Sequence, residues 1–214
     1  MFWKLALQGY IRKPQDFDEV IFWDDKLVIV KDKFPKAKFH LLLLPRQHEL
    51  TNKHPAVALT GEVKRELEPY IARAKAYICE QFTANYSFLH DSPFSSPAKG
   101  VFNNDTFLQR FTQVGVHSVP SMNNLHVHVI SRDFNSPCLK NKKHYLSFTT
   151  DFFVLWSSLP LNEVPNEKEI EQLLKKQDLV CVYCLANFKN KFQDLKRHLN
   201  REFDTHFAGR CTNI

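Results

Sequence analysis

The chain has 214 residues, is 43% hydrophobic, carries a formal charge of +6, and contains 19 Phe but only 5 Gly. That is enough apolar material for one good core plus an appendage. It argues against a Gly-rich phosphate loop, and the charge favours a polyanionic partner such as nucleic acid. Five cysteines, an odd count with a tight Cys181/Cys184 pair, argue against a secreted disulfide framework. With no signal-like apolar run at the start and no stretch long enough to span a bilayer, a reducing cytosolic or nuclear compartment and no membrane partner are expected.

Residues 20–30 predict two short strands around a polar turn at 24–26. Residues 39–44 form another strand, closed by Pro45. Residues 56–82 place Val57, Leu59, Val63, Leu67, Tyr70, Ile71, Ala74 and Ile78 at helical spacing, and Pro69 is expected to kink or split that helix. Residues 90–105 read as a loop. Residues 107–116 and 125–130 predict antiparallel strands joined by a turn over 117–124. A basic loop follows at 138–144. After Pro160 and Pro165 the composition changes to a charged helix over 167–177 and a small module from Leu179 onward. The expected architecture is an α+β domain over 1–165 and a C-terminal appendage over 166–214.

In the appendage, Cys181 and Cys184 have the Cys-x2-Cys spacing of a zinc knuckle. His198 follows on a helix whose buried stripe would be Phe192, Leu195, Leu199 and Phe203. The alternative of two chance cysteines and a surface histidine is disfavoured, because so small a tail cannot bury a core without a metal. The fourth ligand is Glu202 or His206. Glu202 lies one helical turn after His198, whereas His206 lies about 12 Å along an unbroken helix, and each ligand must sit about 2 Å from the ion. Glu202 is favoured because His206 requires the helix to end first. The set Cys181, Cys184, His198 and Glu202 leaves no open position, so the zinc would be structural. Lys189, Lys191, Lys196, Arg197 and Arg201 surround it and would meet phosphates or form a solvated face.

Residues 124–130, Asn-Leu-His-Val-His-Val-Ile, carry the strongest chemical signal. In a strand Leu125, Val127 and Val129 face one side, and Asn124, His126 and His128 the other. A rigid histidine pair can be a hydrogen-bonded structural pair, a metal site with Asp133 as the only close acid, or a phosphate site in which one imidazole attacks phosphorus. Ser, His and Lys groups at 115–123 and 136–144 suit an anionic transition state and favour the last.

These residues resemble the histidine triad superfamily, whose motif is His-φ-His-φ-His-φ-φ with φ apolar. Asn124 replaces the first histidine. Lys31-Asp32-Lys-Phe-Pro35-Lys36-Ala-Lys-Phe-His40-Leu-Leu-Leu-Leu-Pro45 is similar to the superfamily's N-terminal strands. The signature Gly115-Val-His117-Ser-Val-Pro-Ser121-Met-Asn-Asn-Leu-His126-Val-His128, with Ser136-Pro-Cys-Leu-Lys140-Asn-Lys-Lys-His144-Tyr and the finger, is similar to its DNA-deadenylating branch over about residues 18–207.

The resemblance implies a histidine triad fold, an antiparallel sheet with flanking helices, and removal of AMP from 5′-adenylated DNA ends left by abortive ligation, in nuclear single-strand break repair. It implies His126 as nucleophile, His128 as phosphate ligand, and His117 as a phosphate contact assisting the leaving group. Ser121 would bind the phosphate, Asp32 the ribose hydroxyls, and His40 and Asn124 would support the site. Lys140 and His144 would lie near the DNA 5′-phosphate. No catalytic metal is implied. Nicked or broken double-stranded DNA bearing 5′-AMP is the expected partner, AMP the product, and a monomer the expected state. A catalytic domain starting almost at Met1 matches the short fungal-type layout, without the phosphopeptide-binding domain of longer animal members. The alternatives are a nucleoside phosphoramidase or dinucleoside polyphosphate hydrolase of the same superfamily, and a non-catalytic DNA-binding protein with a decayed triad.

Overall fold

The structure, a computed structural model, describes residues 2–89 and 104–210. The elements in chain order are α1 (Gln8–Arg12), β1 (Val20–Trp23), β2 (Leu27–Lys31), β3 (His40–Pro45), α2 (His48–Thr51), α3 (Pro55–Ala58), α4 (Gly61–Asn85), β4 (Tyr86–Phe88), α5 (Asn104–Phe111), β5 (Thr112–His117), β6 (Val127–Ser131), α6 (Lys142–Thr149), β7 (Phe153–Leu155), α7 (Glu167–Lys176), α8 (Phe192–His206) and β8 (Phe207–Gly209). Six strands form an antiparallel sheet in the order β1-β2-β3-β6-β5-β7. Among the described residues no helix is long and apolar enough to cross a membrane.

The period of two decides what each face of the sheet does. Leu41 and Leu43 of β3, Val114 and Val116 of β5, and Val127 and Val129 of β6 pack with Leu67, Ile71, Ala74 and Ile78 of α4. The intervening residues point the other way. There Val28, Val30, Leu42 and Leu44 are covered by Tyr10 and Ile11 of α1. Ile130 is covered by Tyr145, Leu146 and Phe148 of α6. His40, His128, Gly115 and His117 share this second face, between the two covers. The pairing Leu42↔His128↔Gly115 places a glycine beside the central histidine.

A Cβ on Gly115 would sit 2.3 Å from the Val154 carbonyl oxygen and 2.7 Å from the Phe153 ring. The backbone oxygen cannot yield without opening the β5–β7 pairing. Gly115→Ala is therefore expected to destabilise the chain by about 2–3 kcal/mol, read as a lowered urea midpoint with an unchanged slope.

Four sequence expectations are corrected. The helix expected over 56–82 breaks at residues 59–60, not at Pro69: Pro55 starts α3, Thr60 caps α4, and α4 runs through Pro69. Its continuous buried stripe, from Leu67 to Phe82, outweighs the one backbone donor that proline removes. The strand expected over 107–116 is α5 followed by β5. Phe107 and Phe111 stand one helical turn apart, ring centroids 4.6 Å, and both pack on Phe82; an aromatic pair at i and i+4 serves a helix face as well as a strand. The strand expected over 125–130 starts at Val127, leaving His126 just before it. The basic loop ends early, because Asn141 accepts from the His144 amide at 2.9 Å and starts α6 at Lys142. Most of the loop expected over 90–105 lies outside the described residues.

The C-terminal segment shares the core of the sheet domain. Leu174, Leu179, Cys181, Leu195 and Leu199 join Ile130, Phe134, Leu139, Tyr145 and Phe148 in one buried cluster. β8 pairs with β4. Of the cysteines, Cys79, Cys138, Cys181 and Cys184 are free thiols.

Candidate active site and metal centre

The histidines form a directed hydrogen-bond chain. The Lys36 amide donates to His40 Nδ1 at 3.3 Å, so the ring proton of His40 sits on Nε2. His40 Nε2 then donates to His128 Nδ1 at 2.9 Å. His128 in turn must carry its proton on Nε2, a buried nitrogen without a partner among the described residues. His126 Nδ1 donates to the backbone carbonyl of Asn124 at 2.7 Å, which leaves the lone pair on Nε2. The Ser147 carbonyl faces His117 and favours its protonated form, and the buried Nε2 of His117 is also unpartnered among the described residues. Ring centroids lie 4.5 Å (His117–His128) and 5.0 Å (His126–His128) apart. Buried unpaired polar atoms cost about 1–3 kcal/mol each, so a cluster of them marks a place built for a polar ligand.

Charge in the cluster follows burial. His126 has its pKa lowered by burial, and His117 and His128 are held well below the ordinary value by the same cause. Burial pushes His40 down to about 4. His40 and Asp32, 3.4 Å apart, are therefore not an ion pair at neutral pH, and His40 Nδ1 is already an acceptor. Asp32 Oδ1 accepts from the Phe34 amide at 2.7 Å. The half-buried Lys36 is the cation facing the histidines. Its own pKa is lowered by burial, and its charge lowers those of His40, His117, His128 and His144.

These shifts have a stability consequence. Between about pH 6.5 and 4 the unfolded chain binds protons at these histidines that the folded chain refuses, so stability falls as pH falls through that window. His40 alone is expected to account for about 3 kcal/mol by pH 4. Urea titrations at pH 7, 5.5 and 4.5 test this; a flat profile would contradict it.

The remaining expected site residues are placed unequally. Lys140 is exposed, and its amide donates to Nδ1 of His144 at 3.2 Å. Ser121 lies exposed on the connection between β5 and β6. The Asn124 side chain is buried; Nδ2 donates to Thr51 Oγ1 at 3.3 Å and Oδ1 is unpartnered. Asp133 joins no group of metal-spaced donors with His126 and His128 among the described residues. Its buried carboxylate accepts from the amides of Lys38 and Asn135 and from Ser131 Oγ. Sequence reasoning assigned no role to Lys36, although it sits in the quoted motif four residues before His40. It also missed Phe148, whose ring lies 5.3, 4.7 and 5.3 Å from those of His40, His117 and His128, because nothing local marks it.

Three groups of donors among the described residues could hold an ion, one of them Asp32, His40 and His128, in which His40 Nε2 is already committed to His128 Nδ1. His117, His126 and His128 place ring nitrogens within 4.8 Å of one another. The tautomer chain makes His128 Nε2 a donor, which suits an anionic oxygen rather than a cation. Cys181, Cys184 and His198 are also within 4.8 Å of each other, with Cys184 Sγ 3.1 Å from His198 Nε2. Glu202 Oε1 is 3.2 Å from the same nitrogen. The Tyr183 amide donates to Cys181 Sγ at 3.3 Å, and Leu185 turns the knuckle at φ 61°. The three clustered donors have the spacing of a zinc site, and Glu202 stands beside them through His198. Two of the cations expected to face phosphate are committed elsewhere: Lys196 Nζ donates to the Leu139 carbonyl at 2.7 Å, and Arg197 pairs with Asp194.

A histidine-bearing sheet face with a directed donor chain, followed by a Cys-Cys-His finger, defines a histidine triad protein with a C-terminal zinc-binding finger. Comparisons with known proteins agree. Residues 7–144 match the family described as scavenger mRNA decapping enzyme C-term binding, and residues 149–205 match the C2HE / C2H2 / C2HC zinc-binding finger. The chain is 45% identical to an aprataxin-like protein of Saccharomyces cerevisiae, over 97% of this chain and 99% of that one. A solved structure of Hnt3 superposes with a TM-score of 0.75 at 33% identity, covering 94% of this chain and 95% of that one. A structure of the aprataxin ortholog Hnt3 in complex with DNA gives a TM-score of 0.66 at 32% identity, again over 94% and 95%. The chain belongs to the aprataxin-like family of histidine triad hydrolases.

Proposed function

We propose that the protein removes AMP from 5′-adenylated DNA ends by a covalent histidine–AMP intermediate, in nuclear repair of abortively ligated breaks. The observation that carries this reading is the paired tautomer assignment: a lone pair on His126 Nε2 beside an unpartnered Nε2–H on His128. His126 Nε2 attacks the AMP phosphorus in line, and the bond to the DNA 5′-phosphate oxygen breaks. His128, the Lys36 ammonium and His117 meet the developing negative charge. Bound phosphate favours the protonated form of His117, whose Nε2–H can then be given to the departing oxygen. Water next cleaves the phosphoramidate, releasing AMP and restoring His126.

Asp32 is assigned to the ribose hydroxyls, His40 and Asn124 to support, and Ser121, Lys140 and His144 to phosphates. Residues 1–165 form the catalytic body and 166–214 the DNA-binding finger. Zinc held by Cys181, Cys184, His198 and Glu202 stabilises that finger. Relatives named aprataxin-like and a related chain solved with DNA support the substrate class.

The test compares 5′-adenylated nicked DNA, adenosine phosphoramidate and plain nicked DNA. AMP release at a kcat/KM at least about 100-fold higher for the nicked substrate is expected. Equal rates on the small nucleotide would point to a general phosphoramidase, and binding without release to a DNA-binding protein. Because burial lowers all the site histidines from 6.5, the acid limb of kcat/KM is expected below pH 6.5.

A further inference from the structure

We propose that the finger is a positioning part of the active site and not only a DNA clamp, acting through Tyr145 on α6. The proposal rests on the reading of His126, His128 and His117 given above.

Three part-buried hydrogen bonds cross from the finger to the segments that carry the site, besides exposed ties of Lys142 and Lys143 on α6 to Asn190, Lys175 and Glu171. The hydroxyl of Tyr145, a fully buried side chain, donates at 2.8 Å to the carbonyl of Val180, the residue before Cys181. Lys196 Nζ of α8 donates at 2.7 Å to the carbonyl of Leu139, the residue before Lys140. The Tyr183 hydroxyl, inside the knuckle between Cys181 and Cys184, donates at 3.4 Å to the carbonyl of Asp133. The Asp133 carboxylate in turn holds the Lys38 amide at 2.9 Å, closing the loop that presents Asp32 and Lys36.

α6 is the element where these ties meet the histidines. On one side Tyr145 reaches the knuckle. One turn later Phe148 packs edge-on against His40 and His128 and lies 4.7 Å from the His117 ring between centroids. Cys181 and Phe148 belong to the same buried cluster. A close-packed core transmits small displacements, and a reacting group misplaced by about 1 Å can cost about 100-fold in rate. Order in the knuckle therefore sets where α6 sits, and α6 sets the rings of His117 and His128.

The experiment uses the zinc-loaded full chain with Tyr145→Phe, which keeps the ring and removes only the hydroxyl. Zinc content and affinity for unadenylated nicked DNA are expected to match wild type. On 5′-adenylated nicked DNA, kcat is expected to fall about tenfold with KM within about twofold. The 15N shifts of the His117 and His128 ring nitrogens are expected to move. If Tyr145→Phe loses zinc, Lys196→Met, which keeps the apolar stem over the core, carries the same measurements. A wild-type kcat in the zinc-loaded variant overturns the proposal. So does a loss confined to DNA affinity, which would assign the finger to binding alone. A wild-type protein that releases no AMP would instead overturn the reading of the reaction.

Discussion

Adenylated nicked DNA is expected to keep its AMP when His126 is replaced by asparagine. The rate should fall by at least about 1,000-fold, because the variant has no group that can form the covalent intermediate. Asparagine is the better replacement than alanine. Its amide can still donate to the Asn124 carbonyl, which His126 Nδ1 occupies at 2.7 Å, so the backbone turn before β6 is not left with an unmet acceptor. Affinity for nicked DNA should stay within about twofold. His128→Ala should cost about 100-fold, since it removes the one neutral donor that the Lys36–His40–His128 chain aims into the site. Asn124→Ala should cost less than about tenfold. The atom of Asn124 that orients the nucleophile is its backbone oxygen, and its side chain touches Thr51 instead. Single-turnover release of AMP measures all three; an active His126→Asn variant would sink the assignment of the nucleophile.

The Asn124 result bears on how far the sequence could be read. The alternation at 125–130 correctly placed Val127 and Val129 on the core and His128 opposite, because a period of two survives any tertiary context. It could not say that His126 Nδ1 would fold back on the carbonyl two residues earlier, since that depends on φ and ψ at the strand's first residues. The polar turn at 24–26 and the helix from Glu167 were equally legible from local chemistry. α5 was not, because Phe107 and Phe111 owe their helical face to Phe82 on another element. The same limit hid Phe148. Its contacts with three histidines come from β3, β5 and β6, whose nearness to α6 no local pattern records. Lys196 was legible only as a positive charge; that its ammonium is spent on the Leu139 carbonyl is a product of docking.

The zinc ligands give the second large effect, and here the helix length decides. α8 is unbroken to His206, so His206 cannot swing to the ion by ending the helix early. Its Nε2 lies 3.2 Å from Glu202 Oε2, while the other oxygen of Glu202 lies 3.2 Å from His198 Nε2. Its ring stacks on Tyr183 at 5.6 Å between centroids and 4° between planes. Glu202 thus faces the ligand cluster with one oxygen and is steadied by His206 through the other. Glu202→Ala is expected to release zinc at about micromolar chelator, whereas His206→Ala should keep it and lose about tenfold in affinity, the usual cost of a lost outer partner. Removing the metal should also cost more than the finger. Cys181, Leu195 and Leu199 are buried in the same cluster as Phe134 and Tyr145, so the sheet domain loses part of its cover when the knuckle opens. A melting transition that moves as a whole on chelation, rather than splitting into a stable body and an unfolded tail, is the expected result. Full zinc retention in Glu202→Ala together with loss in His206→Ala would reverse the ligand assignment.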